Sequence, residues 1–189
     1  MMMKLVQSRW YANLITISDY ILLGILWVLC SLPLVTVVAS SKAAYYTINE
    51  WRITGTGSVL KTFWVGFKHR LLITLPISLT FIAIFAALES AMQQMELLPL
   101  PLLVAFIVSG VIVAMFFLCL IPELVHISQQ SIIESLQNTA ILVIGFLPQN
   151  LLKVFLTYVF FCSVTIFPPF IFLFAGGFWK LISLLTRQK

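Results

Sequence analysis

The stretch ILWVLCSLPLVTVVASSKAAYY, residues 25–46, decides how the first part of this chain folds. It is apolar enough to enter a bilayer, yet it has Pro33 in its middle and ends on Lys42 and two tyrosines. A proline inside a membrane helix removes one backbone hydrogen bond and kinks the helix. We therefore predict a first membrane span over about residues 17–40, with a helix kink at Pro33 and the two tyrosines at the interface.

The composition places the whole chain in a membrane. Of its 189 residues, 61% are hydrophobic and 9% are charged, and the mean hydropathy is +1.10; a soluble domain carries about 25% charged residues. Several runs approach the ~20 apolar residues that cross ~30 Å of hydrocarbon. We predict one all-α domain, a polytopic membrane helix bundle with about five transmembrane helices and two cytoplasmic interfacial amphipathic helices. The predicted spans cover about residues 17–40, 71–92, 100–121, 150–167 and 169–186, and the cytoplasmic segments cover residues 41–70 and 122–149.

The basic residues predict the orientation of these spans. Residues 41–70 hold five lysines and arginines, and the C-terminal end holds Lys180, Arg187 and Lys189. The positive-inside rule places both regions in the cytoplasm, so we expect a multi-pass protein of the cell membrane with a cytoplasmic C-terminus. The turn that contains Gln94 would then face outward. The net charge of +5 is interpreted as attraction to anionic headgroups and not as nucleic-acid binding.

The N-terminus does not fit this orientation. With five spans, Lys4 and Arg9 would lie outside the cell, against the rule that governs the other basic residues. A break at CSLP that turned the first segment into a re-entrant hairpin would return the N-terminus to the cytoplasm. The single kinked span is preferred because two full crossings do not fit into residues 17–48.

Two polar segments contain amphipathic helices. In SVLKTFWVGFKHRLL, residues 58–72, large apolar residues recur at helical spacing and basic residues border them. In SIIESLQNTAILV, residues 131–143, a similar apolar face lies opposite polar side chains. We expect both helices to lie in the membrane plane, and their apolar faces are candidate docking surfaces for a cytoplasmic partner. The candidate docking residues are Phe63, Trp64, Phe67, Lys68, Ile132 and Leu136.

No catalytic motif is present in the sequence. It lacks GxSxG, HExxH and a phosphate-binding glycine loop. Glu123 and His126 form a possible ligand pair with Glu134 nearby, but a metal site needs three or four ligands. The three cysteines are each isolated within an apolar span. We expect no enzymatic activity, no cofactor and no metal.

Charged residues avoid the middle of the predicted spans. Asp19, Glu89, Lys153 and Lys180 all fall near span ends, where long side chains can reach the interface. Ion-coupled transporters usually place ionisable groups inside the membrane as relays. A self-sufficient coupled transporter is therefore not expected.

The stretch DYILLGILWVLCSLPLVTVVASSKAAYY, then FWVGFKHRLL, then a polar helix before closely spaced C-terminal spans, resembles a known family. This is the YesL-like family of bacterial integral membrane proteins, a domain of unknown function. The resemblance covers most of the chain, and its clearest positions lie in residues 26–36, with the aromatic and lysine pattern of residues 63–68 as a second marker. The chain departs from the family pattern at Val38, where glycine is expected, and at Lys42, where a small polar residue is expected.

The resemblance implies a role in sugar uptake. Members of the family occur chiefly in Gram-positive bacteria, often encoded in carbohydrate-utilisation loci beside components of oligosaccharide ABC transporters. It thus implies an accessory membrane protein that contacts the lipid bilayer and the permease or ATPase subunits of such an importer. Two alternatives stand beside it, a permease-like subunit of the importer and a membrane sensor or regulator of polysaccharide utilisation. The resemblance implies no catalytic residue.

Overall fold

A computed structural model describes residues 9–55, 57–93, 100–126 and 132–186 of the chain. Within these ranges the protein is all-α, as the sequence predicts, with eight α-helices and no strand. The helices are α1 (Arg9–Ser31), α2 (Val37–Thr54), α3 (Val59–Lys68), α4 (Leu71–Met92), α5 (Leu100–His126), α6 (Ile132–Gly145), α7 (Leu147–Ile166) and α8 (Phe170–Leu185).

The chain reverses direction at Pro33, where the sequence predicts a single kinked span over residues 17–40. Helix α1 ends at Ser31, a 3₁₀ turn covers Leu34–Thr36, and α2 starts at Val37. Proline lacks the N–H that would continue the helix, and it disfavours helical geometry at the residue before it. The kink is therefore a complete turn, and the predicted span is corrected to two helices that form a hairpin.

Three side-chain contacts show that the hairpin is antiparallel. Near the turn, the hydroxyls of Ser31 and Ser40 lie 2.6 Å apart. Further along, the indole N–H of Trp27 donates to Ser41 Oγ at 3.1 Å. Towards the open end, the rings of Tyr20 and Trp51 meet edge to face with centroids 5.4 Å apart. The end of α2 thus lies beside the N-terminal half of α1.

Helix α2 is the centre of the molecule. Nearly all of its residues from Val38 to Ile48 are buried, including the small residues at positions 39–41, 43 and 44. Small side chains allow helix backbones to approach closely. Helices α1, α3 and α8 pack with α2 around the largest apolar core, while α2, α4 and α5 enclose a smaller one around Val38 and Phe81.

Within the described ranges, four helices are long and apolar enough to cross a membrane, over Asn13–Ser31, Leu71–Ala91, Leu100–Val125 and Leu147–Ile166. The second, third and fourth of the five predicted spans match α4, α5 and α7 in place. The fifth corresponds to α8, which is apolar but has only 16 residues and so falls short of the ~20 that cross a bilayer unaided. The outer helices also expose many large apolar side chains, as a lipid-facing surface requires.

The two predicted amphipathic helices correspond to α3 and α6. The predicted turn that contains Gln94 lies outside the described residues. Helix α3 packs on α2 and connects the central hairpin to the start of α4.

Candidate functional site

A cavity of about 170 Å³ opens where α2, α3 and α5 meet. Its lining residues are Lys42, Tyr46, Val65, Gly66, His69 and Val125. Helix α2 contributes Lys42 and Tyr46, which lie four residues apart and therefore share one face. His69 directly follows α3, and Val125 lies in the last turn of α5.

Gly66 brings α3 close to α2 at the wall of this cavity. A Cβ atom at Gly66 would lie 2.8 Å from Cδ1 of Tyr46 and 3.2 Å from the Cα of Ala43. Both separations are tighter than ordinary van der Waals contact between carbon atoms at about 3.5–4.0 Å. Only glycine fits at this crossing without a shift, so Gly66 sets the width of the cavity.

Lys42 is the buried charge of the site. Its side chain is 2% exposed, and its ammonium donates a hydrogen bond to the backbone carbonyl of His69. Burial, and after it the nearby Arg70 guanidinium, lower the pKa of Lys42 from 10.5 to about 8. Helix α2 is not among the helices of the described residues that are long and apolar enough to cross a membrane.

His69 and Arg70 form the turn between α3 and α4. Arg70 has a φ of 51°, in the left-handed region that few residues other than glycine adopt. This conformation turns the chain sharply, so that the carbonyl of His69 reaches Lys42. Burial lowers the pKa of the His69 imidazole, and the charges of Lys42 and Arg70 act in the same direction. The ring is therefore neutral at pH 7, with one donor and one acceptor nitrogen.

A second polar cluster lies between α5, α6 and α7. Lys153 Nζ and Cys119 Sγ both donate to Asn150 Oδ1, each at 3.2 Å. The amide of Asn150 donates in turn to the carbonyls of Leu142 at 2.9 Å and Val143 at 3.3 Å. Asn150 thus links the three helices, and the cluster is held by partners within the protein.

Lys153 corrects one expectation from the sequence. It was expected to reach the membrane interface, yet its side chain is only 4% exposed. The reason is that Asn150 and Lys153 lie three residues apart on the inward face of α7 and so point together at α5. Glu123 is also buried, while the side chain of its predicted partner His126 lies outside the described residues. In the part of the chain that the structure describes, no group of three or more histidine, cysteine or acidic side chains could hold a metal ion.

The candidate docking residues of α3 fall on two sides of the helix. Phe63 is 1% exposed and packs in the core against α2, so it is corrected from a docking residue to an anchor of α3. Trp64 is 50% exposed and stacks on Phe67 with ring centroids 5.6 Å apart. The ammonium of Lys68 lies 5.2 Å from the centroid of the Trp64 ring, within reach of a cation–π contact. Trp64, Phe67 and Lys68 form the aromatic surface of α3.

The candidate residues of α6 lie on its outer side. Ile132 and Leu136 are both exposed, whereas Ser135 and Thr139 are fully buried. The hydroxyl of Thr139 donates to the carbonyl of Ser135 at 2.7 Å, which satisfies the polar groups that face inward. The helix therefore turns small polar residues towards the protein and apolar residues outward.

The cavity was not anticipated from the sequence. Lys42 was noticed only as a departure from a family pattern, while Tyr46 and Gly66 had no assigned role. One signal could have indicated the site, namely a lysine inside the run of small residues VASSKAA. A lysine in such a run must either reach solvent past small neighbours or be buried with a partner.

Comparison with known proteins supports the family resemblance. Residues 20–90 match the family model described as "Protein of unknown function, DUF624", which corresponds to the YesL-like membrane proteins. The match includes α2, α3 and five of the six residues that line the cavity, and it excludes Val125. No curated protein and no solved structure matches the chain.

Proposed function

We propose that this membrane protein, whose residues 20–90 match the YesL-like family, is an accessory subunit of bacterial carbohydrate uptake. In this proposal it resides in the cell membrane with a cytoplasmic C-terminus and associates with the permease or ATPase of an oligosaccharide ABC importer. The link to carbohydrates rests on the setting in which members of the family are encoded. The observation that carries the association is the aromatic surface of α3.

The aromatic surface is held in place by the core beneath it. Val59 and Phe63 are buried against α2, and Gly66 lets the two helices approach closely. Trp64 and Phe67 are therefore presented on a fixed helix, with Lys68 over the indole ring. A surface that is rigid before binding loses less conformational entropy when a partner docks.

The composition of this surface favours a protein partner. Tryptophan, tyrosine and arginine are the residues most often found at the energetic centres of interfaces. A helix that only rests on lipid needs apolar area of no particular shape, because that interaction is non-directional. The stacked rings of Trp64 and Phe67 are the shaped element that a partner groove can recognise.

The experiment is co-purification of importer subunits with tagged variants from mild detergent. Trp64→Ala should leave the protein folded in the membrane but lower partner recovery, since truncation of a central aromatic costs about 2 kcal/mol or more of binding, roughly 30-fold. Trp64→Leu should show an intermediate loss. Leu60→Ala is the matched control, because Leu60 lies one turn earlier on α3 and is similarly exposed. Full recovery with both Trp64 variants would exclude the aromatic surface as the docking site.

A further inference from the structure

We propose that the cavity beside Lys42 binds an oxyanion of the phosphate class, carried by a lipid headgroup or by a free phosphate ester. This site is separate from the aromatic surface of α3, and it does not depend on the proposed role in sugar uptake. Its walls come from α2, α3, α5 and the turn at His69.

The first support is the bonding of Lys42. An ammonium group has three N–H donors. Among the described residues, Lys42 uses one of them, on the carbonyl of His69. A buried charge is costly unless it is paired and hydrogen-bonded. Lys42 also lines the cavity, so an anion there would supply the further partners that the charge requires.

The second support is the excess of positive charge at this point. Arg70 lies close enough to Lys42 to lower its pKa, and both groups act in the same direction on the imidazole of His69. The acidic residue closest in sequence to the cavity wall is Glu123, two positions before Val125 and hence on a different face of α5. The charge of Glu123 acts on another group, Tyr45: the pKa of the Tyr45 hydroxyl is raised, mainly by burial and also by the Glu123 carboxylate. The local field at the cavity therefore favours an anion.

The third support is the size and lining of the cavity. Its volume of about 170 Å³ is far above the ~10–15 Å³ that holds one water molecule, so a polyatomic anion fits. Lys42 supplies charge, and the neutral His69 ring has an N–H donor. Val65, Gly66 and Val125 supply apolar wall on the remaining sides, which suits the ester side of a phosphate better than a second charge.

The test measures anion-dependent stability of the full chain in a neutral detergent. The thermal unfolding midpoint is recorded by tryptophan fluorescence in three series, with added glycerol phosphate, with micelles doped with phosphatidylglycerol, and with phosphatidylcholine as the zwitterionic control. We expect a saturable rise in the midpoint with at least one of the two anionic additions. Lys42→Met should weaken the apparent affinity at least tenfold, while Lys61→Met, at an exposed lysine of α3, should leave it unchanged.

The outcomes separate the possible sources of the anion. A rise with phosphatidylglycerol alone assigns the site to a lipid headgroup, and a rise with glycerol phosphate assigns it to a free phosphate ester. No saturable rise in either series overturns the proposal. So does an equal loss in Lys42→Met and Lys61→Met, because binding would then reflect surface charge and not the cavity.

Discussion

Lys42 couples the stability of this protein to pH. Its pKa in the folded chain is about 8, below the ordinary value of 10.5, because the charged form is buried. Below pH 8 the group is protonated in both states, so the folded state carries the full cost of the buried charge. Between pH 8 and 10.5 the folded protein releases the proton first, and stability should rise with pH.

Lys42→Met removes this dependence while nearly keeping the shape of the side chain. At pH 7 and without anion, we expect the variant to be more stable than the wild type by up to about 3 kcal/mol, since each pKa unit corresponds to about 1.4 kcal/mol. Chemical denaturation in detergent at pH 7 and pH 9.5 measures the difference. Lys61→Met keeps Lys42 and should follow the wild type at both pH values. A stability difference between the wild type and Lys42→Met that does not narrow from pH 7 to pH 9.5 would contradict the argument.

At the scale of single residues, the sequence predicts the local effect of a residue on the backbone better than it predicts the burial and contacts of the side chain. Pro33 was recognised as the point where the first helix is disturbed, because the chemistry of proline is local. The burial of Lys42 and Lys153 depends on which helix face turns inward, and that is decided by the packing of distant segments. The role of Gly66 could not be predicted for the same reason. A glycine does not contribute to an apolar pattern, and its effect is to allow a neighbouring helix to approach closely.

At the scale of helices, the contact of α1 with α8 requires a glycine at position 176. A Cβ atom at Gly176 would overlap the carbonyl oxygen of Tyr20 and lie 2.8 Å from its carbonyl carbon. The obstacle is backbone, so no change of rotamer relieves it. Gly176→Ala should therefore destabilise the protein by about 1–3 kcal/mol, the usual cost of overpacking.

Gly177 is the matched control for this prediction. A Cβ atom there meets nothing within 4 Å, so Gly177→Ala should be neutral or stabilising by up to about 1 kcal/mol through helix propensity. Thermal unfolding of both variants in the same detergent makes the comparison. Equal midpoints for the two variants would mean that α1 and α8 do not touch at Gly176.

The helices themselves were largely predictable, but their partners were not. The places of α3, α4 and α7 follow from apolar runs and turn residues that can be read locally. The apolar face predicted for α3 contains both Phe63 and Trp64, yet Phe63 turns to α2 and Trp64 turns outward. Periodicity identifies an apolar face, whereas the division of that face between the core and the exterior is set by the tertiary fold.

At the scale of the whole molecule, the ends of three helices with basic residues meet on one side of the bundle. The hairpin returns the end of α2 to the N-terminal half of α1, as the contact of Tyr20 with Trp51 shows. Arg52 donates to Ser183 Oγ at 3.3 Å, which places the end of α8 beside the end of α2. The ammonium of Lys180 lies 4.7 Å from the ring centroid of Tyr20. The N-terminal half of α1, the end of α2 and the end of α8 therefore share one side of the bundle.

This geometry removes the conflict in the distribution of basic residues. A single kinked span would place the start of α1 and the end of α2 on opposite sides, whereas the hairpin places them side by side. The positive-inside rule then predicts that this end of the hairpin faces the cytoplasm, and cysteine labelling tests it. We predict that cysteines placed at Ser8, Gly57 and Thr186 are all protected from an impermeant thiol reagent in intact cells and all react after permeabilisation.

The labelling is done in a background whose native cysteines at positions 30, 119 and 162 are replaced, because all three are free thiols. A cysteine at Gln94, between α4 and α5, is the positive control and should react in intact cells. Labelling of Ser8→Cys from outside, with Gly57→Cys protected, would restore the single kinked span. Protection of Gln94→Cys with labelling of the other three would mean that the orientation of the bundle is inverted.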